Sequence, residues 1–499
     1  MNSHLYFLSK IVYLCVFGKF FNFINTRNFQ FFTMFNLAYF TTLWYNLHMK
    51  TFKRKIYDNL LQWKKREQGK SALLIEGARR IGKSTIAETF AKNEYESYIL
   101  IDFNDCSKEV IYAFNEKLIY LDEFFKTIEY EYNKKLVKRK SLIIFDEVQR
   151  FPKARQSIKK LVADGRYDYI ETGSLISINE NVKDITIPSE EISIKMYPID
   201  FEEFALIFEK ENLLKLIKEA YINKTPLDNK IHKDAMDLFK LYIIIGGMPQ
   251  AINEYIKNGF EYCDIRKRAI IDLYRKDIMK IKGVYRSKVL SLFDQIPAFL
   301  SKHEKRIILS NIDKGINTEN SFENTIFWLE NSMITNNCFK CNDPNIGLGI
   351  NKNVSFVKCY MGDTGLLLSM AFDEYNITKE DIYRKIMQDK LSLNEGIFYE
   401  NAIAQMLVSN GHKLYFYTHY NETKKRNDIE IDFLITDIHL KKSLIPIEVK
   451  SSARYSHTSL DRFKEKYTER IEKSIIVHPR NLTINNETFC IPPYMVWCI

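Results

Sequence analysis

Ala72-Leu-Leu-Ile-Glu-Gly77-Ala-Arg79-Arg80-Ile-Gly82-Lys83-Ser84-Thr85 decides the fold of this chain. Its first four residues form a short apolar run that reads as a buried strand. Gly77 to Ser84 match G-x-x-x-x-G-K-[ST], and a helix is expected from Lys83 to about residue 93. Strand, glycine-bearing turn and helix in that order make an anion cradle: the glycines let backbone N–H groups turn inward, and the helix N-terminus adds partial positive charge. Lys83 is then placed for the β and γ phosphates of ATP and Ser84 for Mg²⁺. With only 17 glycines in 499 residues, this spacing is a specific signal. Gly77, Arg79, Arg80, Gly82, Lys83, Ser84 and Thr85 are the candidate nucleotide contacts.

Outward from the cradle, strand and helix alternate. Strands are expected at 97–103, 142–145 and 169–172, and helical residues at 108–138 and 154–163. Such alternation implies a parallel sheet covered by helices. Leu142-Ile-Ile-Phe-Asp146-Glu147 is an apolar strand ending in two carboxylates. There Asp146 suits the water shell of Mg²⁺ and Glu147 suits polarising an attacking water. A kinase of small molecules must exclude water, so a glutamate in that place argues for hydrolysis over transfer to a substrate. Tyr169-Ile-Glu-Thr172-Gly-Ser174 sets hydroxyls at another strand end, where they either sense the γ-phosphate or cap the following turn.

Length and charge bound the rest. A chain of 499 residues exceeds one core and suggests about three domains, which excludes a lone binding module. Hydrophobic residues at 46% and charged residues at 27% exclude extensive disorder. The net charge of +10 permits a polyanionic partner without demanding one. Eight scattered cysteines lack the density of a secreted disulfide scaffold and fit a reducing cytoplasm. Cys338 and Cys341 form a CxxC without a second pair, which reads as packing rather than zinc.

Residues 1–48 differ from the remainder: they contain no Asp or Glu and are crowded with phenylalanine. Three readings compete, namely a misassigned start with the protein beginning at Met49, a membrane anchor within residues 28–49, and an aromatic partner-binding arm.

The segments GARRIGKS, IIFDEVQRFP, YIETGS, MYPIDFEEF, GGMP, DTGLL and IEIDFLI with PIEVKSS resemble a bacterial and archaeal group of AAA-superfamily ATPases that carry a C-terminal domain of unknown function. The likeness runs from Met49 to the C-terminus, and members of the group begin much as Met49 does, which favours the misassigned start. It implies an AAA-type P-loop fold with Lys83, Asp146 and Glu147 in the usual roles, a helical connector and a winged-helix-like middle. Some relatives carry Gly-Arg before the MYPIDFEEF-like segment, where this chain reads Pro188-Ser-Glu-Glu-Ile. A trans-acting arginine is therefore unassigned, with Arg79, Arg80, Arg150 and Arg155 as candidates.

Near the C-terminus, Ile429-Glu-Ile-Asp432 and Ile447-Glu448-Val-Lys450 read as successive strands after a helix opening at Glu395 and carrying Glu400. This set resembles the PD-(D/E)xK nuclease core. On that reading Asp432 and Glu448 share Mg²⁺, and Lys450, on the face of Glu448 by period two, positions or deprotonates the attacking water. An edge of solvated charges, or a degenerate core that only binds nucleic acid through Lys450, Arg454 and Arg462, stays open beside it. Arg266, Lys267, Arg268, Arg275 and Lys276, with Lys302, His303, Lys305 and Arg306, either touch phosphates or form charged outer faces.

The expected architecture is α/β: an extension at 1–48, an AAA-type P-loop NTPase parallel sheet at 49–205, a helical connector at 206–284, a winged-helix-like middle at 285–385 and a PD-(D/E)xK-like α/β domain at 386–499. The expected function is Mg²⁺-dependent ATP hydrolysis coupled to a nucleic-acid-binding or nuclease-like domain, with DNA or RNA and a second copy of the chain as candidate partners. The alternative is a nucleotide-gated switch whose C-terminal core is inactive. Membrane association is expected only through residues 1–48.

Overall fold

A computed structural model of the chain describes residues 52–173, 189–281, 285–302, 307, 319–372, 380–387, 395–423, 425–437, 439–452, 456–485 and 487–499. Residues 1–48, Ser174, His303, Lys305, Arg306 and Arg454 fall outside them. Among the described residues no helix is long and apolar enough to cross a membrane.

The first layer system follows the expected alternation. Helix α1 (Ile56–Glu67) leads to β1 (Ala72–Glu76), α2 (Lys83–Glu94), β2 (Ser97–Asp102), α3 (Lys108–Tyr112), α4 (Leu121–Tyr132), β3 (Ser141–Asp146), α5 (Pro152–Asp164), β4 (Asp168–Gly173) and β5 (Glu191–Lys195). The strands form one five-stranded sheet in the order β2-β3-β4-β1-β5, every pair parallel. Ala72 to Ile75 are buried, as a central parallel strand covered on both faces requires.

Two expectations change here. The helical residues expected over 108–138 split in two: α3 runs on through a π turn at Ala113–Lys117 and stops before a turn at 118–120, and α4 ends at Tyr132. The π turn aims Phe114 at Phe103, Phe124 and Phe145 with ring centroids 5.6, 5.0 and 5.5 Å away. Strand β5 is additional. Its sequence, Glu-Ile-Ser-Ile-Lys, is half polar because it lies at the sheet edge, pairing only with β1.

The connector holds α6 (Phe201–Ile207), α7 (Glu211–Asn223), α8 (Asn229–Ile245), α9 (Pro249–Asn258) and α10 (Phe260–Ile278). Asp200 and Glu203 start α6 with a reciprocal capping box. Beyond it come α11 (Tyr285–Ser301), α12 (Glu319–Asn331), β6 (Thr335–Cys341), β7 (Lys352–Met361), α13 (Thr364–Ala371) and α14 (Glu380–Met387). The chain ends with α15 (Glu395–Ser409), β8 (Tyr415–Asn421), β9 (Arg426–Thr436), β10 (Leu444–Val449), α16 (Thr458–Lys466), β11 (Ser474–Val477), β12 (Thr483–Asn485) and β13 (Thr488–Ile491).

The second sheet crosses the border expected at 385/386. It has eight strands in the order β12-β13-β11-β10-β9-β8-β6-β7. The β6–β7 hairpin joins it through the parallel pair β6–β8, with Phe339 opposite Tyr415. Cys338, Phe339 and Cys341 are all buried on β6, so this hairpin needs cover on both faces and obtains it from the later strands. Cys338 and Cys341 are free thiols within that core.

The GGMP and DTGLL segments meet where α8 ends and α13 begins. A Cβ on Gly247 would lie 2.1 Å from the Ile199 carbonyl oxygen, and one on Gly365 would lie 2.4 Å from that of Ile245. Such close backbone crossings admit only glycine. Asp363 accepts hydrogen bonds from the amides of Gly247 and Leu366, capping α13 and tying it to the connector.

Candidate nucleotide site and C-terminal carboxylate cluster

The loop after β1 turns through Gly82, whose φ of 97° is open to glycine at no steric cost. Gly77 is equally constrained: a Cβ there would lie 2.5 Å from the Met196 carbonyl oxygen. Lys83 opens α2 buried, and its ammonium donates to the carbonyls of Gly77 at 2.9 Å and Ala78 at 2.8 Å. Burial pushes the Lys83 pKa down to about 8, although Glu147 and Asp146 pull the other way. An arriving phosphate adds negative charge that favours the ammonium form.

Ser84 donates to Asp146 Oδ1 at 2.7 Å, and the Thr172 hydroxyl donates to the same oxygen. The cause is topological. Strand β4 lies between β1 and β3, so the loop, the Thr172 strand end and the Asp146 strand end open on one edge. Burial raises the Asp146 pKa, while the bonds from Thr172 and Ser84 lower it in part. Glu147 follows in the left-handed region with φ 54°, and Gln149 donates to its carboxylate. Thr85 and Arg80 are exposed beside the loop.

The oxygen donors Ser84 and Asp146 suit a hard cation such as Mg²⁺. Among the described residues no three His, Cys, Asp or Glu side chains group as metal ligands. A cation beside Ser84 would therefore draw its remaining ligands from phosphate and water, as Mg²⁺ commonly does.

Several partners of the loop come from distant sequence. Arg54, almost buried, donates to the carbonyls of Ile81 and Tyr197 and to Glu203, joining the loop to the connector's entry. Arg79 pairs with Asp277 on α10, and the Tyr274 hydroxyl donates to the Arg79 carbonyl at 3.0 Å. Spacing signals neither contact, although the quoted MYPIDFEEF segment carries Tyr197 and Glu203. Of the arginines considered for trans action, Arg155 is buried and paired with Glu191, which commits it to the protein interior. Arg150 is exposed at the site's edge.

The connector's basic run is mostly engaged within the chain. Lys267 is buried, with its ammonium on the Ile244 carbonyl and Tyr383 hydroxyl, so it does not reach phosphates. Arg268 pairs with Asp264, Arg266 with Glu254, and Arg275 with Asp272 and Asp294.

Residues 69–205 match the family model of an AAA domain. The five-stranded parallel sheet and the loop after β1 lie within that match. Downstream, residues 236–377 and 395–494 match two domains of unknown function. Parts of the chain are similar to solved structures at low identity. A Walker-type ATPase of Pyrococcus abyssi is 16% identical with a TM-score of 0.37, over 65% of this chain and 97% of that one. The RuvB Holliday junction branch migration motor of Thermotoga maritima is 9% identical with a TM-score of 0.27, over 57% of this chain and 89% of that one. No curated protein matches the chain.

A second charged cluster lies in the C-terminal sheet. The antiparallel pairing of β9 with β10 ends at Phe433 opposite Ile447, next to Asp432 and Glu448. Asp432 Oδ2 accepts from the Val449 amide at 2.9 Å. The Lys450 ammonium stands 3.1 Å from Glu448. Burial pushes the Glu448 pKa up to about 7, Asp432 adding to the rise and Lys450 opposing it. Glu400 on α15 is buried and accepts from the Tyr360 hydroxyl. Unforeseen from the sequence, Lys358 on β7 reaches into this cluster. Its ammonium is 3.4 Å from Asp432 Oδ1 and 3.6 Å from Glu400 Oε1. Burial works against the charged form, but the two carboxylates outweigh it and keep Lys358 above the ordinary lysine pKa.

Asp432 and Glu448, expected to share Mg²⁺, thus face an ammonium from each side.

Proposed function

We propose that the chain binds ATP with Mg²⁺ between Gly77 and Thr85 and hydrolyses it. The observation that carries this is the convergence of Lys83, Ser84, Asp146 and Thr172 on one sheet edge with Glu147 next in sequence. Ser84 and Asp146 would hold Mg²⁺, which neutralises phosphate charge when bound. Lys83 leaves the Gly77 and Ala78 carbonyls for the phosphates, Glu147 orients and deprotonates water, and Thr172 holds Asp146 in place.

The hydrolytic state passes to the rest of the chain through Arg79, whose partner Asp277 belongs to the connector helix α10. Its destination is the C-terminal domain, which we read as binding nucleic acid. The net charge of +10 and the exposed Lys425, Arg426 and Arg462 support that reading, since phosphate contacts give salt-dependent affinity. A second copy supplying Arg150 would complete the nucleotide site in trans.

The test is ATP turnover by the full chain, with and without single-stranded and duplex DNA and RNA, from low to high salt. Lys83→Ala is expected to abolish turnover, and Glu147→Gln to retain ATP binding while turnover falls about 100-fold or more. Nucleic acid is expected to stimulate turnover at low salt. Turnover that survives Lys83→Ala sinks the ATPase assignment. Rates indifferent to nucleic acid at every salt concentration remove the nucleic-acid reading and favour the nucleotide-gated switch.

A further inference from the structure

The carboxylate cluster of the C-terminal sheet has a feature that the PD-(D/E)xK comparison does not contain. Lys358 enters it from β7, in the hairpin that β6 attaches to β8. Its side chain is 3% exposed, and its ammonium lies within ion-pair distance of both Glu400 and Asp432. The remaining oxygen of Asp432 is occupied by the Val449 amide. Phe416 lies 5.2 Å from the ammonium and covers it. A divalent cation bridging Asp432 to its neighbours would bring two positive charges beside the Lys358 ammonium, which already stands 3.4 Å from Asp432 Oδ1, a repulsion that burial screens poorly.

We propose that Lys358 is the resident cation of this core, standing between Glu400 and Asp432 where a cutting site would hold a metal, and that the C-terminal domain engages its partner without metal-dependent strand cleavage. The proposal deepens the nucleic-acid reading above and rests on it for the partner, but the charge assignment stands on geometry alone. Lys358 closes the core as an internal ion pair, and Lys450, 28% exposed, remains the cation of the cluster that solvent can reach. The domain so built recognises a polyanion with surface cations while its carboxylates serve folding.

The experiment is Mn²⁺ binding to the nucleotide-free full chain, read by electron paramagnetic resonance and by the shift in thermal midpoint. Wild-type protein and Asp432→Asn are expected to bind the same number of Mn²⁺ ions with affinities within twofold. Lys358→Met, which removes the ammonium but keeps the volume, is expected to gain one Mn²⁺ site per chain and a Mn²⁺-dependent rise in midpoint. Both gains should vanish in Lys358→Met/Asp432→Asn. Loss of a Mn²⁺ site in Asp432→Asn overturns the proposal, and so does a folded Lys358→Met with no added site. Should Lys358→Met not fold, the comparison of wild type with Asp432→Asn decides the matter, joined by Mg²⁺-dependent nicking of DNA or RNA. Nicking lost in Asp432→Asn overturns the proposal, and its absence from both supports it. None of these measurements involves ATP, so their failure is separate from failure of the ATPase assignment.

Discussion

Arg79 and Asp277 stand 198 positions apart and meet across the phosphate loop, the guanidinium Nη1 lying 2.9 Å from both carboxylate oxygens. An arginine of the loop is thereby held by the connector. Both side chains are about a quarter exposed, so the pair itself contributes about 1 kcal/mol or less. Its significance is competition: a bound phosphate and Asp277 seek the same cation. Asp277→Asn is expected to tighten ATP binding by up to about fivefold, the equivalent of about 1 kcal/mol. Isothermal calorimetry on the full chain checks this, and unchanged or weaker binding would show that Arg79 does not turn to the nucleotide.

Arg54 is the other tie on the loop, and it acts from buried ground. Arg54→Ala removes its bonds to Ile81, Tyr197 and Glu203 and leaves Glu203 buried without its guanidinium. Breaking a buried pair in this way costs about 3 kcal/mol. Denaturant unfolding should register that loss, and a change below about 1 kcal/mol would contradict the arrangement.

Gly247 tests the crossing of the connector's GGMP turn with the segment that enters the connector at Ile199. An alanine methyl there meets the Ile199 backbone at 2.1 Å, whereas Gly165, at a φ of 70°, has nothing within 4 Å of such a methyl. Gly247→Ala is expected to destabilise by about 3 kcal/mol or more, through overpacking of backbone that cannot yield. Gly165→Ala should cost only the left-handed backbone term of about 1 kcal/mol. Equal thermal shifts for the two variants would refute the close approach.

His478 supplies a pH dependence. It is buried beyond β11, its Nδ1 accepts from the Arg480 amide, and burial lowers its pKa to about 4, with Arg480 and His232 adding to the fall. The folded state holds this imidazole neutral, while the unfolded chain protonates it near 6.5. Its contribution is therefore complete above pH 6.5 and is lost as pH falls toward 4, a change of about 3 kcal/mol. Unfolding free energies of wild type and His478→Gln, measured from pH 7 to 4, should converge as pH falls. Parallel curves would remove His478 as the source.

Much of the AAA domain is legible in the amino-acid order because its signals are local. The run Ala72–Ile75, the glycines at 77 and 82 and the apolar strand ending at Asp146 each act within one element and its turn. Strand β5 escapes because it is an edge strand of five residues whose alternation rests on only two apolar side chains, Ile192 and Ile194, too short a pattern to stand out from a loop. Ser174 lies beyond the described residues and stays an expectation. In the C-terminal half, Asp432, Glu448 and Lys450 can be selected by strand period, since neighbouring strands bring them to one edge. Lys358 cannot, because nothing near residue 358 signals which sheet β7 will join.

By itself the sequence determined the anion cradle, the alternation that builds a parallel sheet and the two strands that bring Asp432 beside Glu448. Each depends on backbone freedom, period or turn chemistry within a few residues. Tertiary structure alone decided what stands against those groups: Arg54 and Asp277 on the loop, Asp363 on Gly247, and Lys358 between Glu400 and Asp432. Those choices follow from burying the β6–β7 hairpin and the connector helices. Burial acts on whichever surfaces the folded chain brings together, and charges caught in it must find partners there, however far away those lie in sequence.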